Sequence, residues 1–234
     1  MITFGPADLI GWLATQCGTP LHCVECGAGD AEISAFLAPR FHTVTATDLK
    51  PPRSSITAAK KARFNYLSCP AETLPFEDHS VDMVISMQAL QHFDVKEHVK
   101  EASRILRPGG VFAALAWGEM QLPEAVAAEY APVFEALEPY WEPERDWVVG
   151  GYSDLEFAGR PLSLPKARMQ KQMTYDDLER HIRGLSASRF AKSAGTLPPR
   201  VVQKKGHLDT RFEVSWPVVG RAFKFVNRQQ YPEV

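Results

Sequence analysis

The sequence has no apolar run long enough to cross a bilayer, and Met1 to Thr19 lack the basic start and apolar centre of a secretory leader. Both absences point to a cytoplasmic protein with no membrane partner. Cysteine is scarce: four residues in a chain of 234 cannot make a disulfide framework. Cys23 and Cys26 have redox or zinc spacing, but no second such pair and no paired histidines accompany them. They read as small buried apolar residues of a strand. His92 and His98 lack ligand spacing on one helix face, so no metal is expected. Neither a Gly-x-Ser-x-Gly nucleophile turn nor a lysine-bearing phosphate loop is present. The most informative absence is a glycine: Gly27-Ala28-Gly29 opens a glycine turn, but Glu32 stands where the dinucleotide fingerprint needs its third glycine.

Charge is unevenly spread. The net charge is -2, yet residues 1–157 carry 11 basic and 22 acidic side chains, whereas residues 158–234 carry 15 and 6. A basic C-terminal part suits nucleic acid, an acidic small molecule or an acidic partner surface. It also suits two halves of one domain that attract each other, which needs no special function.

Leu9, Ile10 and Leu13 recur at helical spacing, so residues 6–16 are expected to form a helix. Leu21–Cys26 reads as a first strand, Glu32–Ala38 as the helix after the glycine turn, and His42–Thr47 as a second strand ending at Asp48. Ser54–Lys61 reads as a short helix and Arg63–Ser68 as a third strand. Val81–Met87 is apolar enough to be a strand buried on both faces. Val95–Leu106 is an expected helix, Arg107-Pro108-Gly109-Gly110 a turn, and Val111–Trp117 a fifth strand. Strands alternating with helices indicate a doubly wound parallel sheet, which binds ligands at the carboxyl ends of its strands. One rim then carries Glu25 to Gly29, Asp48, Ser68 to Glu72 and Ser86 to Gln88.

After Trp117 the alternation lapses. Residues 121–165 are rich in Pro, Glu and aromatics, with a largely helical stretch expected over 124–137 and a kink or break at Pro132. Phe134, Tyr140, Trp141, Trp147 and Tyr152 call for burial or a ligand. Residues 118–165 therefore read as a partly helical cap, inserted into a single domain with its core at 1–117 and 166–234. Strands are expected over 168–173 and within 211–222, where Pro217 suggests an edge or bulge. Thr174 reads as the N-cap of a helix running to about Leu185. The expected fold is α/β: a Rossmann-like, doubly wound, mostly parallel sheet of seven strands.

Glu32 at the helix start would oppose a pyrophosphate, so a ribose-bearing ligand without phosphate fits the turn better. Asp48, at the end of the second strand, is placed to accept from two ribose hydroxyls. Five ordered segments then carry a family likeness: Val24-Glu-Cys-Gly-Ala-Gly-Asp-Ala31, Asp48, Ala71-Glu-Thr-Leu-Pro-Phe-Glu-Asp78, Val81-Asp-Met-Val-Ile-Ser86 and Arg104-Ile-Leu-Arg-Pro-Gly-Gly110. Together they resemble the class I S-adenosylmethionine-dependent methyltransferases, in their small-molecule branch. A looser likeness of Met173–Ala187 to trans-aconitate methyltransferase-like proteins accompanies them.

The resemblance implies S-adenosylmethionine as cofactor. Glu25 and the backbone of Gly27, Ala28 and Gly29 would hold its methionine part, and Asp48 its ribose. Leu49 would pack on the adenine, with Ala71 and Glu72 at the adenine edge. Met87 or Gln88 would close the site by the sulfonium. Two positions depart from the family pattern: Ala31 replaces the third glycine, and Pro70 the acidic residue often found before the Ala-Glu pair.

The expected reaction is methyl transfer to a small-molecule acceptor, favouring a carboxylate or hydroxyl oxygen, chiefly by in-line alignment. A carboxylate is ionised near neutral pH and needs no base; other nucleophiles do, and His92 is the candidate near the rim. Gln91 and Trp117 are candidate acceptor contacts. Arg183 and Arg189 are candidates for holding acidic groups. A homodimer is left open. The alternatives are a nucleic-acid or protein methyltransferase using the basic C-terminal part, and a cofactor-binding module without catalysis. Nucleic acid is disfavoured because Ser86-Met-Gln-Ala89 is not the Asn/Asp-Pro-Pro-aromatic motif of base-amino methylation.

Overall fold

The computed structural model describes residues 5–50, 64–196, 199 and 210–226. The expected helix at 54–61 lies outside the described residues. The elements, in chain order, begin with α1 (Pro6–Gln16), β1 (His22–Cys26), α2 (Glu32–Leu37), β2 (Thr43–Asp48), β3 (Asn65–Ser68) and β4 (Val81–Met87). A 3-10 turn (Leu90–His92), α3 (Val95–Ile105), β5 (Leu106–Trp117) and α4 (Glu124–Leu137) follow. The chain continues through a second 3-10 turn (Glu138–Tyr140), α5 (Arg145–Val149), β6 (Gly159–Leu162), β7 (Ala167–Met173), α6 (Tyr175–Gly184), α7 (Ser186–Ser193) and β8 (Phe212–Phe225). No helix among the described residues is long and apolar enough to cross a membrane.

The strands form one sheet in the order β3-β2-β1-β4-β5-β8-β6, with β7 pairing β8. The sheet has eight strands rather than seven. The added one is β6, whose Gly159-Arg160-Pro161-Leu162 carries no strand-like alternation and is ordered by antiparallel pairing with β8. The first five strands are mutually parallel, and β8 runs antiparallel to β5. The order steps outward from β1 to β3 and then back past β1 to β4, so β1 and β4 flank the reversal.

Alternation along the central strands explains the two cores. Cys23, Val44, Ala46, Met83, Ile85, Val111, Ala113 and Leu115 face one side and pack with Leu9, Ile10 and Leu13 of α1 and Leu37 of α2. Val24, Cys26, Val84, Phe112, Ala114 and Ala116 face the other side and pack with Ala102 and Ile105 of α3. Tyr152, Leu155 and Phe157 join this second core, with Phe157 stacked on Phe112 at 4.3 Å. Strands covered on both faces need continuous apolar runs, which β4 and β5 have.

Arg107-Pro108-Gly109-Gly110 is not a free turn before β5. It is a bulge within a strand that starts at Leu106, since Leu106 pairs with Val81 while Val111 already pairs with Met83. Arg107 reaches from it to Asp82, both oxygens lying 3.0–3.1 Å from the guanidinium. Asp82 is buried and also accepts from the backbone N–H groups of Leu21 and His22. One carboxylate thus ties the start of β1 to the β4–β5 junction.

The chain divides into two compact units. The first holds residues 1–118, 147–167 and 218–234; the second holds 119–146 and 168–217. The division departs from a cap at 118–165. Trp147 and Tyr152, expected in the cap, belong to the first unit, where Tyr152 is wholly buried and Trp147 packs edge-on against it at 4.7 Å. In the second unit α4 buries Val126, Tyr130, Val133 and Leu137 along one face. Pro132 sits inside α4 without ending it: Ala128, whose carbonyl the missing N–H leaves unpaired, lies on the exposed face with Pro132. Tyr130 stacks on Tyr175, Tyr175 meets Phe212 edge-on, and Arg145 lies over Trp141. Helix α6 opens with the Thr174–Asp177 capping box. Pairing of β8 with β5 begins at Val218, one residue after Pro217, so the ladder needs no proton from the imino nitrogen.

Removing the Asp82 carboxylate leaves two partly buried N–H groups and Arg107 without their acceptor. Asp82→Ala should therefore lower unfolding free energy by roughly 2–4 kcal/mol. Arg107→Ala, on a half-exposed partner, should cost about 1 kcal/mol. Denaturant midpoints of the two single variants and the double variant measure both effects and their coupling.

Candidate functional site

β1 and β4 end side by side, with Glu25 in register with Ile85. From β1 the chain leaves through a run of left-handed residues: Gly27 at φ +70°, Gly29 at +52° and Ala31 at +57°. A side chain at Gly27 would drive its Cβ to 2.4 Å from the Ala89 methyl, so the turn lies hard against the segment after β4. A Cβ at Gly29 would meet nothing within 4 Å. That face of the turn is bare backbone beside open space, a cradle for a ligand.

The turn is held in place by β2 and β3. Ala28 N–H donates to the Thr47 carbonyl at 2.9 Å. Asp48 accepts from Gly29 N–H at 2.9 Å and from Lys50 N–H at 3.0 Å. The Tyr66 hydroxyl stands 3.0 Å from both the Gly29 and the Lys50 carbonyls and donates its one proton to either. Asp48 and Tyr66 therefore grip Gly29 from its two polar ends.

A cavity of about 290 Å³ opens over this turn. Glu25, Gly27, Ala28, Gly29, Met87 and Gln88 of the expected rim line it, together with Trp117, the candidate acceptor contact. Glu32, expected to face the ligand, lines it too, as do Asp30 and Ile33, which had not been named. Among the described residues no basic side chain lines it. Glu25 is 2% exposed and accepts the Ser34 hydroxyl in a short hydrogen bond. Burial pushes its carboxyl up to about 7; Ser34 pulls it down, and the Asp48 charge adds to the rise. Among the described residues no cation pairs with Glu25.

Gln88 adopts φ +56°, rare for a residue with a side chain. Its side-chain oxygen accepts from Trp117 N–H at 2.8 Å and its own N–H donates to Leu115. Gln91 donates to the Gln88 carbonyl and accepts the hydroxyl of buried Tyr152 at 2.9 Å. Gln91 thus braces the rim rather than lining the cavity.

The remaining candidates lie elsewhere. Leu49 follows β2 and is 72% exposed. Ala71 is buried, and its carbonyl accepts from the His98 ring at 2.9 Å. Glu72 spends one oxygen on Asp94 N–H, at the cap of α3. His92 ends the 3-10 turn as an exposed residue and is not among the cavity's lining. Arg183 and Arg189 sit on α6 and α7 of the second unit, Arg183 paired to Glu179 at 2.8 Å. Sequence reasoning missed Ser34 and Tyr66. A serine two places into α2 and a tyrosine on an edge strand carry no motif; the fold of the turn into α2 brings Ser34 to Glu25, and strand register brings Tyr66 to Gly29.

Two outcomes follow from this geometry. Ala31 is fully buried in a conformation costing an L-residue about 1–2 kcal/mol. Ala31→Gly relieves that cost but loses a buried methyl, worth about 0.8 kcal/mol, and should change stability by less than about 1 kcal/mol. Ala31→Val, β-branched at positive φ, should cost more than about 2 kcal/mol; thermal unfolding of both variants checks this. For Glu25, the folded carboxyl keeps its proton to about pH 7, whereas an ordinary glutamate loses it near 4.5. Between those values the unfolded chain binds fewer protons, so stability should fall as pH rises from 4.5 to 7 and then level off. Glu25→Gln should lack this slope in denaturant titrations run across that range.

A methyltransferase-domain family profile matches residues 24–114. A crystal structure from Anaeromyxobacter dehalogenans, provisionally designated a type II methyltransferase, aligns over 97% of this chain and 99% of its own, with 27% identity and a TM-score of 0.81. A Dictyostelium discoideum protein, provisionally designated a methyltransferase, is 24% identical over 66% of this chain and 60% of its own length. A malonyl-[acyl-carrier protein] O-methyltransferase of Enterobacter lignolyticus is 27% identical over 83% of this chain and 74% of its own. The chain thus spans less than two thirds of the Dictyostelium relative it matches. With the glycine turn, the rim and β1 to β4 lying inside or beside the matched segment, residues 24–114 carry a methyltransferase domain, and the chain as a whole is similar in fold to the Anaeromyxobacter structure.

Proposed function

We propose that the protein transfers a methyl group from S-adenosylmethionine to an oxygen of a small-molecule acceptor. The observation that carries the reading is the bare, doubly gripped Gly29 turn beside a buried carboxylate that, among the described residues, has no cation of its own. A cofactor whose amino-acid end brings an ammonium and whose ribose brings hydroxyl donors fits that combination; a phosphate does not, because Glu25, Asp30 and Glu32 line the cavity. Glu25 and the Gly27 to Gly29 backbone would hold the methionine end and Asp48 the ribose. Leu49, exposed beyond β2, is available to pack on the adenine, with Ala71 and Glu72 beyond it.

When bound, the cofactor supplies a methyl group activated by a positive sulfur. The protein's part is alignment and exclusion of water. Met87, Gln88 and Trp117 at the ends of β4 and β5 would form the wall against which the acceptor is set. Gln88 is fixed by Trp117 N–H, and Gln91, anchored on Tyr152, fixes the Gln88 carbonyl in turn. A carboxylate acceptor is ionised near neutral pH and asks for no general base. The exposed position of His92, outside the cavity lining, favours such a base-free acceptor over a phenol or amine. The malonyl-[acyl-carrier protein] O-methyltransferases among the relatives, by their name, also methylate oxygen.

Calorimetry and thermal shift with S-adenosylmethionine and S-adenosylhomocysteine should both register binding. Asp48→Asn, which keeps the shape and loses the charge, should bind at least about tenfold more weakly. Radiolabelled methyl transfer to a panel of carboxylic acids, phenols and amines should be strongest for the acids. No heat and no thermal shift with either nucleoside would overturn the reading.

A further inference from the structure

Glu25 is held by a residue that does not line the cavity. Ser34, on α2, is wholly buried, and both its hydroxyl and its backbone N–H are directed at the Glu25 carboxylate. A helical serine commonly returns its hydroxyl to the carbonyl one turn back; here Glu25 takes it. The groups around that carboxylate are otherwise unhelpful to a negative charge. Asp48 lies on β2, the thiols of Cys23 and Cys26 share β1, the Tyr66 ring approaches from β3, and Asp30 and Glu32 line the same cavity. None of them is basic. Among the described residues Ser34 is therefore the donor that favours the ionised form against burial in the free protein.

Resting on the reading of the cavity as the S-adenosylmethionine site, we propose that Ser34 is a positioning residue for the cofactor: it fixes Glu25 in its buried orientation and keeps it ready to receive the ligand's ammonium group. Binding is then coupled to a proton. Below neutral pH the free protein holds a protonated Glu25, which must release its proton to the solvent as the ammonium arrives. Above neutral pH the carboxylate is already formed and binding releases none. The Ser34 hydroxyl sets where this change occurs, because without it the carboxyl keeps its proton to higher pH. A merely structural Ser34 would weaken binding equally at every pH; a positioning Ser34 weakens it only where Glu25 is protonated.

The test uses the full chain with S-adenosylhomocysteine as the probe, in calorimetry from pH 5.5 to 9. Affinity of the wild type should rise about tenfold per pH unit and level off near pH 7. Buffers of different ionisation heat should report release of close to one proton at pH 5.5, falling away above pH 7 and giving way near pH 9 to proton uptake by the ligand's own amine as it binds in its ammonium form. Ser34→Ala should bind about tenfold more weakly at pH 7 yet match the wild type near pH 9, and Ser34→Thr should restore the wild-type profile. Glu25→Gln should bind weakly with no pH dependence below pH 7. A Ser34→Ala profile parallel to that of the wild type, or no proton release by the wild type, would overturn the proposal. Carboxyl carbon NMR of the free, 13C-glutamate-labelled protein gives a reading that needs no ligand. The Glu25 signal should titrate near pH 7 in the wild type and higher in Ser34→Ala, and equal midpoints would overturn the proposal. If that shift appears while S-adenosylhomocysteine gives no heat with any variant, it is the cofactor reading that has failed, and with it the ligand half of this proposal.

Discussion

Everything near the cavity depends on the two-sided grip on Gly29. A backbone that turns through left-handed residues has few hydrogen bonds of its own, and the three here sit between a five-residue strand and a six-residue helix. Asp48 takes the Gly29 N–H and Tyr66 gives a proton to its carbonyl or to that of Lys50. The same two side chains thereby fix the exits of β1 and β2 at once, since Asp48 also receives Lys50 N–H. The bare face of the turn can stay bare because its shape is imposed from behind. A ligand then meets a preformed surface and need not order it, which lowers the cost of binding.

Preforming the turn leaves an electrostatic debt in the sheet. Glu25 lies at a position flanked by Ala46 of β2 and Ile85 of β4, where strand residues are normally apolar. A carboxyl so placed is disfavoured as an anion, and Ser34 offsets only part of that. Such a group stabilises nothing in the free fold that an apolar residue would not do better. Its presence makes sense as an unfulfilled half of an ion pair, completed by a cationic ligand. Ala31 follows the same logic at smaller scale: strain held beside the site by burial in the α1–α2 core.

The fold was legible because its signals are local or periodic. The glycine turn, β2 ending at Asp48, the doubly apolar β4 and the Thr174 capping box are each written in a few neighbouring residues, and each is where those residues put it. The misses share one cause. β6 and the early start of β5 exist only through pairing with a strand distant in sequence. Trp147 and Tyr152 looked like cap residues because they follow a Pro-Glu-aromatic stretch, but their rings complete the core on the α3 face. At the site, Glu25 to Gly29, Met87 and Gln88 were readable from strand ends, whereas Asp30 and Ile33, which follow the turn, were not. Nor were Ser34 and Tyr66, which support the lining from behind: Ser34 is placed by the helix after the turn and Tyr66 by strand register, and a single sequence displays neither contact.

The lining of the cavity also bears on what it accepts. Among the described residues three carboxylates and no basic side chain face it, with Ile33, Met87 and Trp117 as the apolar portion. A cationic nucleoside is attracted to such a wall, whereas a free polyanion is repelled by it. Once Glu25 is paired with an ammonium, the repulsion is reduced by one charge, and a single carboxylate directed at a positive sulfur meets a favourable local field. For the carboxylate acceptor proposed above, the same wall would favour binding after the cofactor, once the charge it needs is in place.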